Sequence, residues 1–299
     1  MSDNSHRISR RTAVGLLAAA GGFAAADGSS VAAPAPSAAS AGSHARLKQS
    51  FCRWPYARMP LAEVCRRGKE IGFSGIDLLY PDEWPVAREA GLAVSMGYAA
   101  HRDRFIAAGF NDPANHSMLI AELETAIPPA AEARVPNVIA MFGNRVAGID
   151  DAAAVANCIA GLSRIAPLAE KHGVTVCVEL LNSKVDHPGY QGDRTAFGAA
   201  VIKGVNSPRV KLLYDIYHMQ IMEGDVIRTI RDNINCIGHF HTGGVPGRHE
   251  IDAGQELNYH AIAAAIADLN YQGFVAHEFV PTRSDPFISL TEAYQLCTV

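Results

Sequence analysis

From residue 48 onward, short runs rich in β-branched and aromatic residues alternate with Ala-rich stretches whose apolar positions recur at helical spacing. The strand-like runs fall at residues 49–54, 75–80, 92–98, 137–142, 174–181, 210–216, 236–241 and 274–279. Helical patterns fill residues 61–71, 114–133, 151–171, 195–203, 225–232 and 259–269, with a short second unit and an eighth helix at the C-terminus. Gly72 and Gly173 each follow a last turn carrying a lysine, Lys69 or Lys171, as expected where a left-handed glycine cap ends a helix. Each glycine leads directly into a strand. Eight such units predict an α/β fold, a (β/α)8 TIM barrel.

Composition supports one large catalytic domain over residues 46–299. About 250 residues is typical of one such barrel, and 48% hydrophobic residues suffice for a sizeable core. The first 45 residues are instead rich in Ala, Gly, Ser and Pro with almost no acidic residues. There Ser9-Arg10-Arg11-Thr12 precedes an apolar stretch, residues 13–26, ending in Ala24-Ala25-Ala26. This resembles a twin-arginine export signal followed by a disordered linker. The apolar run is too short and too rich in Ala and Gly for a permanent membrane span. The expected location is therefore periplasmic or secreted, with no membrane attachment after signal cleavage. The formal net charge of −4, with no basic block, argues against nucleic acid as a partner. The six cysteines form no CxxC pair, and export of an already folded chain predicts mostly free thiols. Cys177 and Cys236 sit inside predicted strands.

Four residues stand at the C-terminal ends of four consecutive predicted strands: Glu179 in VCVELLN, Asp215 in KLLYDIYH, His241 in GHFHTGG and Glu278 in VAHEFVP. Side chains at one level of neighbouring barrel strands converge on the axis, on the face where barrel active sites are assembled. Carboxylates gathered there repel one another unless a dication removes the repulsion. Three oxygen donors and one nitrogen suit a single Mn2+ or Mg2+ better than a structural zinc. Strand alternation puts His239 on the same side as His241 but one layer deeper, and turns His277 toward the helices. His218, three residues beyond Asp215, is either a substrate contact or a satisfied loop histidine. The long connections 101–113, 182–193 and 242–258 follow strands and belong to the pocket side. The last contains Arg248, a candidate for a substrate carboxylate or terminal hydroxyl because a guanidinium matches a carboxylate bidentately.

The runs VELLNSKVDHPGYQ, LLYDIYHMQIMEGD, IGHFHTGGVPGRHE, LNY and GFVAHEF resemble the hydroxypyruvate isomerase family within the xylose isomerase-like barrels, over residues 48–299. The resemblance implies metal ligation by Glu179, Asp215, His241 and Glu278. It also implies acid–base catalysis by the two glutamates; His218, Arg248 and His239 are the substrate-side candidates by position alone. Some members of the isomerase branch carry Gln at the position of His241, whereas His is usual in the related ketose 3-epimerases. The implied reaction is an aldose–ketose type isomerisation through an enediolate, hydroxypyruvate giving tartronate semialdehyde. The alternative is a periplasmic keto-sugar epimerase or isomerase. A phosphodiester hydrolase and a non-catalytic sugar-binding barrel are the readings from other classes. The expected partner is a small hydroxy-keto acid or sugar, and a homodimer is left open because barrels of this kind often pair.

Overall fold

The computed structural model describes residues 45–299, so the expected export signal and most of the expected linker lie outside the described residues. Eight parallel strands close into a barrel in chain order, β1 pairing with β8. They are β1 Lys48–Cys52, β2 Gly75–Leu79, β3 Ala93–Gly97, β4 Asn137–Met141, β5 Thr175–Glu179, β6 Val210–Asp215, β7 Ile237–Thr242 and β8 Phe274–His277. The helices around them are α1 Leu61–Ile71, α2 Trp84–Glu89, α3 His116–Glu132, α4 Asp151–His172, α5 Thr195–Val205, α6 Ile216–Met222, α7 Val226–Asn233, α8 Tyr259–Asp268 and α9 Pro286–Leu296. Strands such as β2, β4 and β5 are buried along their whole length, because helices cover one face and side chains fill the other.

The expected strands are all present. The helix after β6 is the main difference. Residues 216–222 form α6 rather than a loop, because Asp215 ends the strand and also caps the helix, its Oδ1 accepting from the His218 backbone N–H at 3.3 Å. Thus His218 occupies the first turn of a helix, not a loop. Two smaller differences follow from strand length. β8 stops at His277, leaving Glu278 just beyond it, and Cys236 lies in a short 3-10 turn before β7.

Gly72 and Gly173 take left-handed backbone, φ 119° and 70°, and end α1 and α4 as their sequence context predicts. All six cysteines are free and buried. Among the described residues, α4 alone is long and apolar enough to cross a membrane, and it packs between α3 and α5 in the outer ring.

Candidate metal centre and active site

Pairing explains why the four strand-end residues meet. Asp215 lies opposite His241, Glu179 opposite Leu213, and His241 opposite Ala276. Each step is an even number of residues from the next candidate, so all four side chains face the barrel axis. One ligand atom from each of Glu179, Asp215, His241 and Glu278 lies within 4.8 Å of the others, and all four residues are buried. Nδ1 of His241 approaches Glu278 Oε2 at 2.6 Å and Glu179 Oε1 at 3.3 Å. It nevertheless makes no well-aligned hydrogen bond among the described residues. A buried imidazole nitrogen aimed at three carboxylates fits a divalent cation, and the donor set is that of a hard or borderline ion.

The two glutamates differ in environment. Burial, reinforced by the charge of Glu278, pushes the Glu179 carboxyl up to about 7, against the pull of His241. Burial also opposes ionisation of Glu278, but His241 and Arg248 overcome it and hold that carboxyl well below the usual range. Trp54 Nε1 donates to its Oε1 at 2.5 Å. Burial disfavours a charged His241, yet the negative charge of Glu278 and the bonds to Asp77 and Cys52 lift its pKa well above that of a free imidazole.

Arg248 reaches the same centre. Its Nη2 donates to Asp215 Oδ2 at 2.7 Å and to Glu278 Oε2, and its guanidinium covers the Tyr217 ring. The residue sits at φ 56° in a turn where its N–H donates to Gly244 O and its carbonyl accepts from Val280 N. A non-glycine in left-handed backbone costs on the order of 1–3 kcal/mol, which the flanking bonds and ion pairs offset. Tyr259 steadies the base of this loop, its hydroxyl donating to Gly243 O at 2.7 Å and accepting from Gly243 N at 3.0 Å.

His218 is buried and lines the cavity. Asn182 Oδ1 accepts from the backbone N–H groups of Val185 and Asp186, so its Nδ2 is the donor toward His218 Nδ1 at 2.6 Å. Arg248 Nη1, which can only donate, lies 3.0 Å from Nε2, so both ring nitrogens face donors and a neutral ring accepts from one of them at a time. Burial and the Arg248 charge keep this histidine neutral, its pKa well below the ordinary value.

His239 is not in the cavity lining. It lies deeper, fully buried, with Nε2 3.0 Å from Asp77 Oδ2, so the placement beside substrate is replaced by one in the barrel floor. His277 faces the helices, bonded to Thr242 and Gln49, as alternation requires.

The cavity above the centre measures about 330 Å³. Its polar lining includes Glu179, Glu278, His218, Arg248, Asp186 and His187, and its apolar lining includes Trp54, Leu78, Tyr98, Phe105, Ile106 and Met141. Sequence reasoning missed Trp54, Tyr98, Asp186 and Asp77. Only Asp77 carried a signal, a carboxylate inside the otherwise apolar strand GIDLL.

Comparisons with known proteins agree with this architecture. The description of the xylose isomerase-like TIM barrel family matches residues 65–289. A 2-oxo-tetronate isomerase of Cupriavidus necator is 39% identical over 141 residues, 47% of this chain and 54% of that protein. The similar stretch thus spans about half of that relative's length. A human protein described as a hydroxypyruvate isomerase, itself of provisional name, is 29% identical over 233 residues, 76% of this chain and 77% of its own. Among solved structures, the family 2 AP endonuclease of Brucella melitensis superposes with a TM-score of 0.69 at 25% identity, covering 81% of this chain and 96% of that one. The chain belongs to the xylose isomerase-like TIM barrel family.

Proposed function

We propose that this protein is a divalent-metal-dependent isomerase of small hydroxy-keto acids, with hydroxypyruvate to tartronate semialdehyde as the leading reaction. The observation that carries the proposal is the buried Nδ1 of His241 turned into the cluster of Glu179, Asp215 and Glu278. These four residues would hold Mn2+ or Mg2+. When bound, such an ion polarises a carbonyl and its neighbouring hydroxyl and acidifies the C–H between them.

The chain's own groups supply the rest. Burial pushes the Glu179 carboxyl up to about 7 in the metal-free protein; a dication in the centre would favour its ionised form, which can take a proton from carbon and give one back. Glu278, held ionised by His241 and Arg248, keeps its negative charge in the centre and serves on the opposite side of the substrate. His218 lines the cavity beside Arg248, which offers a guanidinium to a carboxylate or hydroxyl. The apolar part of the cavity lining limits water around the reacting carbon.

A second reading, epimerisation of a keto-sugar, is favoured by the cavity of about 330 Å³, which is roomier than a three-carbon acid requires. It uses the same proton abstraction with return to the opposite face of the same carbon. Mn2+-loaded protein assayed against hydroxypyruvate and a panel of ketoses separates the two. Turnover confined to ketoses removes the first. A phosphodiester hydrolase would need several metals and a basic groove, and the net charge of −4 speaks against it. A non-catalytic sugar receptor would have no need of paired acid–base glutamates in the centre. The export signal belongs to the same proposal; recovery of the mature chain in a periplasmic fraction is its check.

A further inference from the structure

Beneath the four-residue cluster lies a second buried polar group that the proton transfer does not use. Its centre is Asp77 on β2, fully buried. The β2–β3 ladder slips on both sides of this residue. Ile76 pairs with Val94, Asp77 with Met96 and Leu79 with Gly97, while Leu78 takes φ 57°. Irregularities of this kind bend a strand and re-aim a side chain. Here they go with a carboxylate turned into the barrel floor.

Each oxygen of that carboxylate is engaged. Oδ1 accepts from Ser95 Oγ at 2.6 Å, and Ser95 is the β3 residue that the slipped register leaves unpaired. Oδ2 meets His241 Nε2 at 2.8 Å, His239 Nε2 at 3.0 Å and the Cys52 thiol at 3.7 Å. An imidazole has two nitrogens with separate duties: the one that gives a proton to a carboxylate leaves the other free to bind a cation. His241 divides them so, with Nε2 on Asp77 below and Nδ1 among Glu179, Asp215 and Glu278 above.

We propose that Asp77 is the positioning residue of the metal centre: by taking the Nε2 proton of His241 it fixes the ring's tautomer and tilt, so that Nδ1 is presented to the cation. This rests on the reading of Glu179, Asp215, His241 and Glu278 as a dication site. Ser95 holds the far oxygen of Asp77, and the slipped register on either side sets its height in the barrel. His239 shares the carboxylate from below without facing the cavity.

The test is Mn2+ binding to the full chain, followed by loss of the free-ion electron paramagnetic resonance signal. Asp77→Asn keeps the shape and removes the charge. It is expected to weaken binding by about 10–100-fold with an unchanged circular dichroism spectrum. His239→Gln removes the other imidazole and leaves the Asp77–His241 bond, so it should bind Mn2+ close to the unsubstituted protein. Equal binding by folded Asp77→Asn overturns the inference alone. So does an equal loss in His239→Gln, which would make Asp77 a general support of the floor. Two Mn2+ per chain, one of them lost in Cys52→Ala, would overturn it by making Asp77 a ligand. No binding by the unsubstituted protein overturns the dication site and the inference together. A check independent of any variant's folding is the 15N spectrum of the histidine-labelled, Mg2+-loaded protein. A His241 ring protonated on Nε2 alone is expected; a proton on Nδ1 instead contradicts the proposal.

Discussion

Glu179 and Glu278 converge on a single imidazole nitrogen, their carboxylate oxygens 3.3 Å and 2.6 Å from His241 Nδ1. From that shared approach the two separate in character. Glu278 is tied by Trp54, Arg248 and His241 and stays ionised, whereas Glu179 lacks such ties to Trp54 and Arg248 among the described residues and titrates near neutrality. Two carboxylates whose surroundings push their pKa values apart are an acid–base pair in waiting.

Metal binding should release a proton. Glu278 and Asp77 raise the pKa of His241, so at neutral pH the free protein carries a proton that a cation on Nδ1 must displace. Mn2+ affinity is then predicted to fall as pH drops and to rise as pH increases. Calorimetric titrations in buffers of different ionisation enthalpy measure the release directly. Saturation at a hundred times Kd should add about 2.7 kcal/mol of stability, and chelation should remove it. For a domain of this size that is about 5–10 °C in Tm.

Tyr190 ties the ends of β4 and β5 together. Its buried hydroxyl accepts from the Phe142 backbone N–H and donates to Glu179 O, both at 2.8 Å. Tyr190→Phe leaves that N–H buried without its partner. The expected cost is about 1–3 kcal/mol, read from urea unfolding, together with lower turnover because Glu179 sits at the loosened strand end.

Much of this was legible from residue order alone. The eight units announce themselves because strand-like apolar runs alternate with helical periods, and Gly72 and Gly173 mark where helices stop. Glu179, Asp215, His241 and Glu278 stand out because a barrel brings together whatever its strands carry at their C-terminal ends. Asp77 escaped for the complementary reason: it is mid-strand, and its aim depends on a register slip that no periodicity records. His218 was ambiguous because Asp215 reads as the end of a strand while also capping α6. The approach of Arg248 to Asp215 and Glu278 depends on one left-handed turn in a long loop, which composition does not specify.

Glu250 anchors the Arg248 loop. Partial burial works against its ionisation, but the Thr282 N–H and the Ser289 hydroxyl outweigh this and hold the carboxyl down to about 2. A depressed carboxylate contributes stability above its unfolded value, about 4.3, and that contribution is lost as pH falls toward the folded value. Glu250→Gln should therefore lower Tm at pH 6, with the gap narrowing below about pH 4 and closing as the pH approaches 2. Thermal unfolding of both across that range is the check. A constant gap would show that the carboxylate's charge is not what holds the loop.

The central claim is that Glu179 moves a proton at carbon in a metal-loaded centre. The most direct measurement follows solvent deuterium into hydroxypyruvate by NMR, with Mn2+ supplied and then removed before the spectrum is taken, for the unsubstituted protein and for Glu179→Gln. The predicted result is label at the hydroxymethyl carbon with the unsubstituted protein and a loss of about 10²–10⁴-fold in rate in the variant, the usual worth of a general base. Exchange that survives unchanged in Glu179→Gln would contradict the account.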